Sequence, residues 1–358
     1  MNSTRRGGAA ARRPFLLRSA CTERPLRVPR GGMHRRLLDL LVEPLNQNPL
    51  RAEIVKAEGD HIVEGRLVCE ESGRWYPIVR GIPRFANAAN YTDSFGWQWN
   101  RFRSAQIDTE TGARHSQQRF DAEAGWSEGD LRDKWVLDAG CGAGRFAEVA
   151  AARGGRVVAV DFSSAVDAAA ETLRRFDNVD LVQASIHELP FKQGCFDFAY
   201  CIGVIQHTPD PRHAVQAVVR TVKPGGRFCL TIYGRRAWTK LSGKYLLRPI
   251  TKRMPKGTLL RTIETVMPVA FPLTDMLYRV PLVGRVARFA LPIANYVDRE
   301  GFTREQRYRE AVLDTFDALS PQYDSPLTAE ETSQALRGVP ANSWNFRSRV
   351  PVVVEGTR

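Results

Sequence analysis

The chain has 358 residues, 43% of them apolar, and carries 52 Lys and Arg against 39 Asp and Glu, a net charge of +13. That length leaves room for one large core with appendages, and the composition fits a cytoplasmic enzyme. There is no apolar run of 18 residues of the kind a membrane-spanning helix needs, and the six scattered cysteines (Cys21, Cys69, Cys141, Cys195, Cys201, Cys229) read as small buried residues, not a disulfide framework.

Residues 1–36 hold ten arginines and one acid, Glu23, so about +9 of the charge lies there. Residues 1–32 read as a disordered basic leader without the apolar segment of a secretory signal. Arg12-Arg13-Pro14-Phe15-Leu16-Leu17 has the look of a twin-arginine signal, but the stretch from Arg18 to Arg30 is too polar to continue one. Two readings stay open: a basic arm or organelle presequence, or a stretch upstream of a true first residue at Met33. Residues 33–88 form a small second unit, with the apolar run Leu37-Leu38-Asp39-Leu40-Leu41-Val42, then Gly65-Arg66-Leu67-Val68-Cys69. It closes on Trp75-Tyr76-Pro77-Ile78-Val79-Arg80-Gly81-Ile82-Pro83-Arg84-Phe85.

Residues 89–132 read as a helical cap, dense in aromatics at Phe95-Gly96-Trp97-Gln98-Trp99-Asn100-Arg101-Phe102. One reading is a lid, because aromatic faces attract cations and closure excludes water. The other is an ordinary helix packed on a sheet edge.

Residues 133–233 hold the most informative segment, Val136-Leu137-Asp138-Ala139-Gly140-Cys141-Gly142-Ala143-Gly144-Arg145-Phe146. It predicts a buried strand, a glycine turn, and a helix beginning at Gly144. Glycines at alternate positions let the backbone pass close to a ligand, and the helix start presents free N–H groups. A dinucleotide fingerprint would need G-x-G-x-x-G, but here Arg145 takes the third glycine position. An acid two residues before the first glycine repels a pyrophosphate and suits a cofactor with an amine, a sulfonium and one carboxylate, which is S-adenosyl-L-methionine. A second strand ends in Asp161, where a carboxylate can accept both ribose hydroxyls. Further strands are predicted over 179–183, 196–202 and 227–233, with a helix over 211–222 and a turn at Lys223-Pro224-Gly225-Gly226. Strands alternating with helices predict an α/β fold, a Rossmann-like parallel sheet covered on both faces. Ligands bind such sheets at the carboxyl ends of the strands, where Asp138, Asp161, Ser185 and His207 fall.

From 234 to 257 the charges are all basic, and beyond lies an apolar stretch broken by Pro268, Pro272, Pro281 and Pro292. Residues 234–325 therefore predict a basic, amphipathic helical insertion. It either packs on the core with a solvated basic face, caps the site and binds an anionic acceptor, or makes a peripheral membrane contact through 235–290. Nucleic acid is disfavoured, because the basic run lacks regular aromatic interleaving. Residues 326–358 end in two closing strands around Trp344 and Val352-Val353-Val354. Oligomeric state is not encoded legibly.

These pieces, in this order over roughly 133–233, resemble class I S-adenosylmethionine-dependent methyltransferases of the type 11 methyltransferase-domain group. The resemblance implies a seven-stranded sheet closed by an antiparallel hairpin. It implies that Gly140, Gly142 and Gly144 contact the methionine part and that Asp161 holds the ribose; Asp138, Phe162 and Ser163 are likewise expected to bind the cofactor. Ser185, Ile186, Ile202 and Gln206 complete the expected cofactor site. Members often carry an Asp near Ser185 for the adenine, and Leu-His-His where this chain has Ile205-Gln206-His207. His207 is then the candidate general base, its ordinary pKa near 6.5 suiting neutral pH, or else a cap on the turn through Thr208-Pro209-Asp210. Tyr233 and Tyr323 are weaker candidates to face the acceptor.

Residues 33–88 resemble the zinc-ribbon-like domain of the small tRNA-methyltransferase activator family, through Tyr-Pro-Ile and Gly-Ile-Pro. That family's cysteines would fall near Glu43, Asn46, Cys69 and Ser72. One thiolate cannot build a tetrahedral zinc site, so a metal-free ribbon held by its own small apolar core is expected. The whole predicts a methyltransferase for a small-molecule, lipid-linked or glycan acceptor. A cofactor-binding scaffold and an RNA methyltransferase remain as alternatives.

Overall fold

The computed structural model describes residues 32–86, 90–297 and 303–358. Most of the predicted leader and Cys21 lie outside them; the other five cysteines are buried free thiols.

The small unit is an antiparallel sheet of β1 (Met33–His34), β2 (Arg51–Glu58), β3 (His61–Val68), β4 (Trp75–Val79) and β5 (Ile82–Pro83). Its apolar residues are not a core of their own. Met33, Leu37 and Ile62 belong to one buried cluster with Leu137, Val158 and Val182 of the main sheet, which corrects the expectation of a self-sufficient ribbon. The positions expected to hold cysteines do converge. Buried Glu43 accepts from the Leu45 and Asn46 amides at 2.9 and 2.7 Å and from the Tyr76 hydroxyl at 2.7 Å. Arg74 pairs with it at 3.0 Å, and the polar groups of Ser72, Glu71 and Asn46 lower the Cys69 thiol pKa.

The cap comes next as α1 (Asp93–Phe102), α2 (Asp108–Thr111), α3 (His115–Glu123) and α4 (Glu128–Leu131). The core then alternates β6 (Trp135–Ala139), α5 (Arg145–Ala152), β7 (Arg156–Asp161), α6 (Ala165–Leu173), β8 (Val179–Gln183), β9 (Phe196–Ile202), α7 (Pro211–Thr221) and β10 (Val222–Ile232). Gly144 is the cap residue of α5, one residue before its first turn. The expected Lys-Pro-Gly-Gly turn lies inside the span of β10, where the register with β9 breaks between Val222 and Arg227.

The insertion is α8 (Gly243–Thr251), α9 (Lys256–Leu277), α10 (Pro281–Ala290) and α11 (Arg304–Leu319). α9 runs unbroken through Pro268 and Pro272, contrary to the broken helices expected. Both prolines sit on its exposed side, where water can satisfy the carbonyls their missing N–H groups leave open. The chain closes with α12 (Ala329–Arg337), β11 (Ser343–Arg349) and β12 (Val352–Thr357).

The seven-stranded sheet has the order β11-β12-β10-β9-β6-β7-β8. β6 to β10 pair in parallel, while β12 runs antiparallel to β10 and β11. The order reverses at β6, which lies between β7 and β9. That is the switch point of an open α/β sheet, and the crevice beyond its carboxyl end is where ligands bind.

Candidate functional site

A cavity of about 2630 Å³ occupies that crevice. A single-ligand pocket is usually roughly 300–1,000 Å³, so this one has room for a cofactor and an acceptor together. The turn after β6 forms one wall. Gly140 and Gly142 have φ of +89° and +54°, a region that glycine enters without penalty. A Cβ on Gly140 would stand 2.5 Å from the Val204 side chain, so the backbone can adopt this path only without one.

Asp161, at the end of β7, holds the turn in place. Its carboxylate accepts from the Gly142 amide at 2.9 Å and from the amide and hydroxyl of Ser163 at 2.9 and 2.7 Å. Burial raises its pKa against the pull of these bonds. Asp138 lies beneath the turn beside Tyr200 and the Ala147 amide, and burial pushes its carboxyl up to about 8. The cap covers the turn from above: the Trp99 indole nitrogen is 3.1 Å from where a Gly142 Cβ would sit. Asn100 ties α1 to the Ser164 carbonyl at 3.0 Å, and Trp97 packs at a tilt against Phe316 of α11 with ring centres 5.4 Å apart. The aromatic segment thus packs on the core and also lines the cavity.

Of the residues expected from the sequence, Gly140, Gly142, Asp161, Phe162, Ile186, Ile202 and His207 are brought together on the cavity wall. Asp138, Gly144, Ser163, Ser185 and Gln206 stand behind it. Ser163 is occupied with Asp161 and the Ala165 amide, and the Ser185 hydroxyl accepts from the His187 amide. The Gln206 side chain donates to the Gly203 carbonyl at 2.6 Å and lies 3.4 Å from the Tyr233 amide.

His207 is buried, with Nδ1 3.2 Å from the Tyr323 carbonyl oxygen. Donation from Nδ1 makes Nε2 the basic nitrogen, and Nε2 is buried with no hydrogen-bond partner among the described residues. Burial pushes the imidazole down to about 4, with Asp324 pulling the other way. It does not cap the next helix: the Asp210 side chain does, accepting from the Arg212 and His213 amides.

A charged part of the cavity wall was not foreseen. Arg119 and Arg145 line it, as do Glu310, Asp314 and Asp317 from α11. Arg119 donates to Glu123 at 2.7 Å. Burial lowers Arg145 to about 10, still charged at neutral pH, and raises Asp317 to about 7, with the Asp314 charge adding to the effect. Tyr233 also lines the wall, its hydroxyl 3.4 Å from Asp317. The three acids recur at spacings of four and three, one face of a helix, and that signal was present in the sequence.

The sheet order, the glycine turn and the acid at the end of β7 define an S-adenosylmethionine-dependent methyltransferase domain. Residues 137–230 match the methyltransferase-domain family, and residues 34–81 match the Trm112p-like protein family. The chain is 34% identical over 133 residues to a ubiquinone biosynthesis O-methyltransferase of Cronobacter sakazakii, covering 36% of this chain and 55% of that protein. It is 33% identical over 134 residues to the enzyme of that name from Pseudomonas entomophila, covering 36% and 56%. It thus spans about half the length of the curated relatives it matches. An arsenic(III) S-adenosylmethionine methyltransferase from Chlamydomonas reinhardtii overlaps with 26% identity and a TM-score of 0.29, over 31% of this chain and 43% of that one.

Proposed function

We propose that the protein transfers a methyl group from S-adenosylmethionine to a hydroxyl of a small-molecule acceptor, quinone-like or lipid-linked. The observation that carries this reading is one cavity lined both by the glycine turn and Asp161 and by the charged side chains of Arg119, Arg145 and α11. The residues fit the cofactor. Gly140 and Gly142 offer bare backbone, the remaining lone pairs of Asp161 suit vicinal hydroxyls, and Trp99 roofs the turn with an aromatic face that favours a cation. Bound there, S-adenosylmethionine supplies an already activated methyl group.

What the protein adds is alignment and exclusion of water. α1 and α11 close the cavity, Arg119 and Arg145 orient an electron-rich acceptor, and His207 Nε2 takes the hydroxyl proton. The relatives' O-methyltransferase activity in ubiquinone biosynthesis supports an oxygen nucleophile.

The test is incubation with methyl-labelled S-adenosylmethionine and, separately, a lipid extract, RNA and a protein extract. Label is expected in the lipid extract alone, and Asp161→Ala should weaken cofactor binding about 10- to 150-fold, as loss of a charge-assisted bond of roughly 1.5–3 kcal/mol implies. Label in RNA, or cofactor binding with no label in any fraction, would overturn the proposal.

A further inference from the structure

Three helices of the insertion present apolar side chains to solvent. α9 is apolar on two faces. One face, with Leu259, Ile263, Met267 and Phe271, is buried in a cluster with α11. A second face carries Val266, Val269, Leu273 and Met276, at spacings of three, four and three, and is exposed, Val269 to 73%. α10 packs against both α8 and α9 and adds exposed Leu282, Val283 and Val286. α8 contributes Leu246, Leu247 and Ile250, and Trp238 and Leu241 precede it, also exposed. A surface helix ordinarily has one apolar stripe and buries it. Apolar rows on adjoining helices mark a surface that docks on something.

The charge around the rows says on what. Residues 234–297 contain twelve Lys and Arg and two acids, Glu264 and Asp275. Arg236, Lys240, Lys252, Arg253, Arg279 and Arg285 are exposed. A second copy of the chain would bring the same positive charge to the contact, and like charges oppose that pairing. Aliphatic rows bordered by Lys and Arg, with a tryptophan at the margin, match the boundary between anionic headgroups and acyl chains. Among the described residues no helix is long and apolar enough to cross a membrane, so the fitting geometry is a helix face lying flat on the surface.

We propose that the α8–α10 face rests on an anionic membrane surface. Leu260, Arg261, Glu264 and Pro268 of α9 also line the cavity. The helix that lies on the bilayer thus forms part of the acceptor chamber, which, if the protein is the methyltransferase proposed, brings a membrane-dissolved acceptor directly to the site.

The test is co-sedimentation of the full chain with vesicles of phosphatidylglycerol and phosphatidylcholine in equal parts, and with phosphatidylcholine alone. Binding to the anionic vesicles is expected to exceed binding to the neutral ones by roughly tenfold or more. The triple variant Val269→Glu, Leu282→Glu, Val286→Glu should lose it while circular dichroism and S-adenosylmethionine binding stay unchanged. If the triple variant does not fold, Leu282→Glu alone should show the same direction. A variant that binds vesicles as the parent does would assign binding to the arginine-rich first residues and overturn the proposal. So would a parent that ignores vesicles and is a dimer by light scattering, with a monomeric variant. Vesicle binding is read without methyl transfer, so its failure leaves the methyltransferase reading standing.

Discussion

His207 shows what burial does to a residue chosen for its chemistry. The sequence offered an imidazole titrating near neutrality, but the fold closes around it and lowers it to about 4. At neutral pH it is wholly the free base, and a weak one, poised by the Tyr323 carbonyl. In Asp317→Asn, which removes a group on this wall that titrates near 7, the turnover rate should therefore stay flat from pH 8 down to 5. His207→Gln should lower kcat about 10²- to 10⁴-fold with little change in cofactor affinity. A rate that falls below pH 7 with a pKa near 6.5 would show that the imidazole is solvated during turnover. Stability tracks the same shift. Between pH 6.5 and 4 the unfolded chain binds a proton at this position that the folded chain refuses. Stability is full above 6.5 and falls by up to ~3 kcal/mol as the pH drops through that window. The dependence of Tm on pH over that range should shrink in His207→Gln. Asp138 has the opposite sign. Its carboxyl is raised to about 8, so above pH 3.8 folding must hold a proton that the unfolded chain has released, and the cost grows up to pH 8. Asp138→Asn removes that cost and should raise Tm, more at pH 8 than at pH 5. A Tm lowered at both would mean that an ionised carboxylate is anchoring α5. Both positions were legible as strand-end groups, but their protonation was not, because it is set by burial, with Tyr200, Ala147 and Tyr323 pulling against it, and only the fold creates that burial.

At the scale of elements, the glycine turn was the most legible part of the chain. Its three glycines all have positive φ, and the strands on either side fall where hydrophobic runs placed them. The turn also gives the sharpest contrast between two glycines. Gly140→Ala puts a Cβ 2.5 Å from Val204 at a φ of +89°, a backbone region that costs an L-residue roughly 1–2 kcal/mol before any clash. The turn must then move off the cavity wall, and S-adenosylmethionine affinity measured by calorimetry should drop at least about tenfold. Gly129→Ala, in α4, meets nothing closer than the Ser127 hydroxyl at 3.7 Å and should leave affinity unchanged. Equal losses in both variants would mean that the effect is general destabilisation. α9 was misread for a physical reason. Pro268 and Pro272 look like helix breakers in sequence, but both fall on the solvent side, where a lost backbone bond costs least. The acids of α11 were readable as a face, yet nothing in their local sequence said that the face would meet Arg119 and Arg145 across a cavity.

The whole molecule is joined where the sequence suggested a boundary. The small sheet covers the edge strand β8: the Phe85 amide donates to the Gln183 carbonyl at 2.7 Å, and Arg84 pairs with Asp167 at 2.8 Å. Arg80 reaches the same carboxylate at 2.6 Å, and the His34 amide donates to the Asp180 side chain at 2.8 Å. An uncovered edge is a pairing hazard, and here the second unit removes it. The ribbon reads as a separate unit in sequence because its apolar positions look self-contained until β8 is placed beside them. Two units that share one buried cluster should unfold together. Circular dichroism and tryptophan fluorescence are expected to give coincident thermal transitions, with Trp75 reporting on the small sheet and Trp135 on the large one. The double variant Arg80→Ala, Arg84→Ala leaves Asp167, only 14% exposed, without either partner. It should lower the Tm of the one shared transition and not split off an early one. An early transition confined to Trp75 would instead mean that the ribbon is held mainly by its polar knot at Glu43, with the shared cluster contributing little.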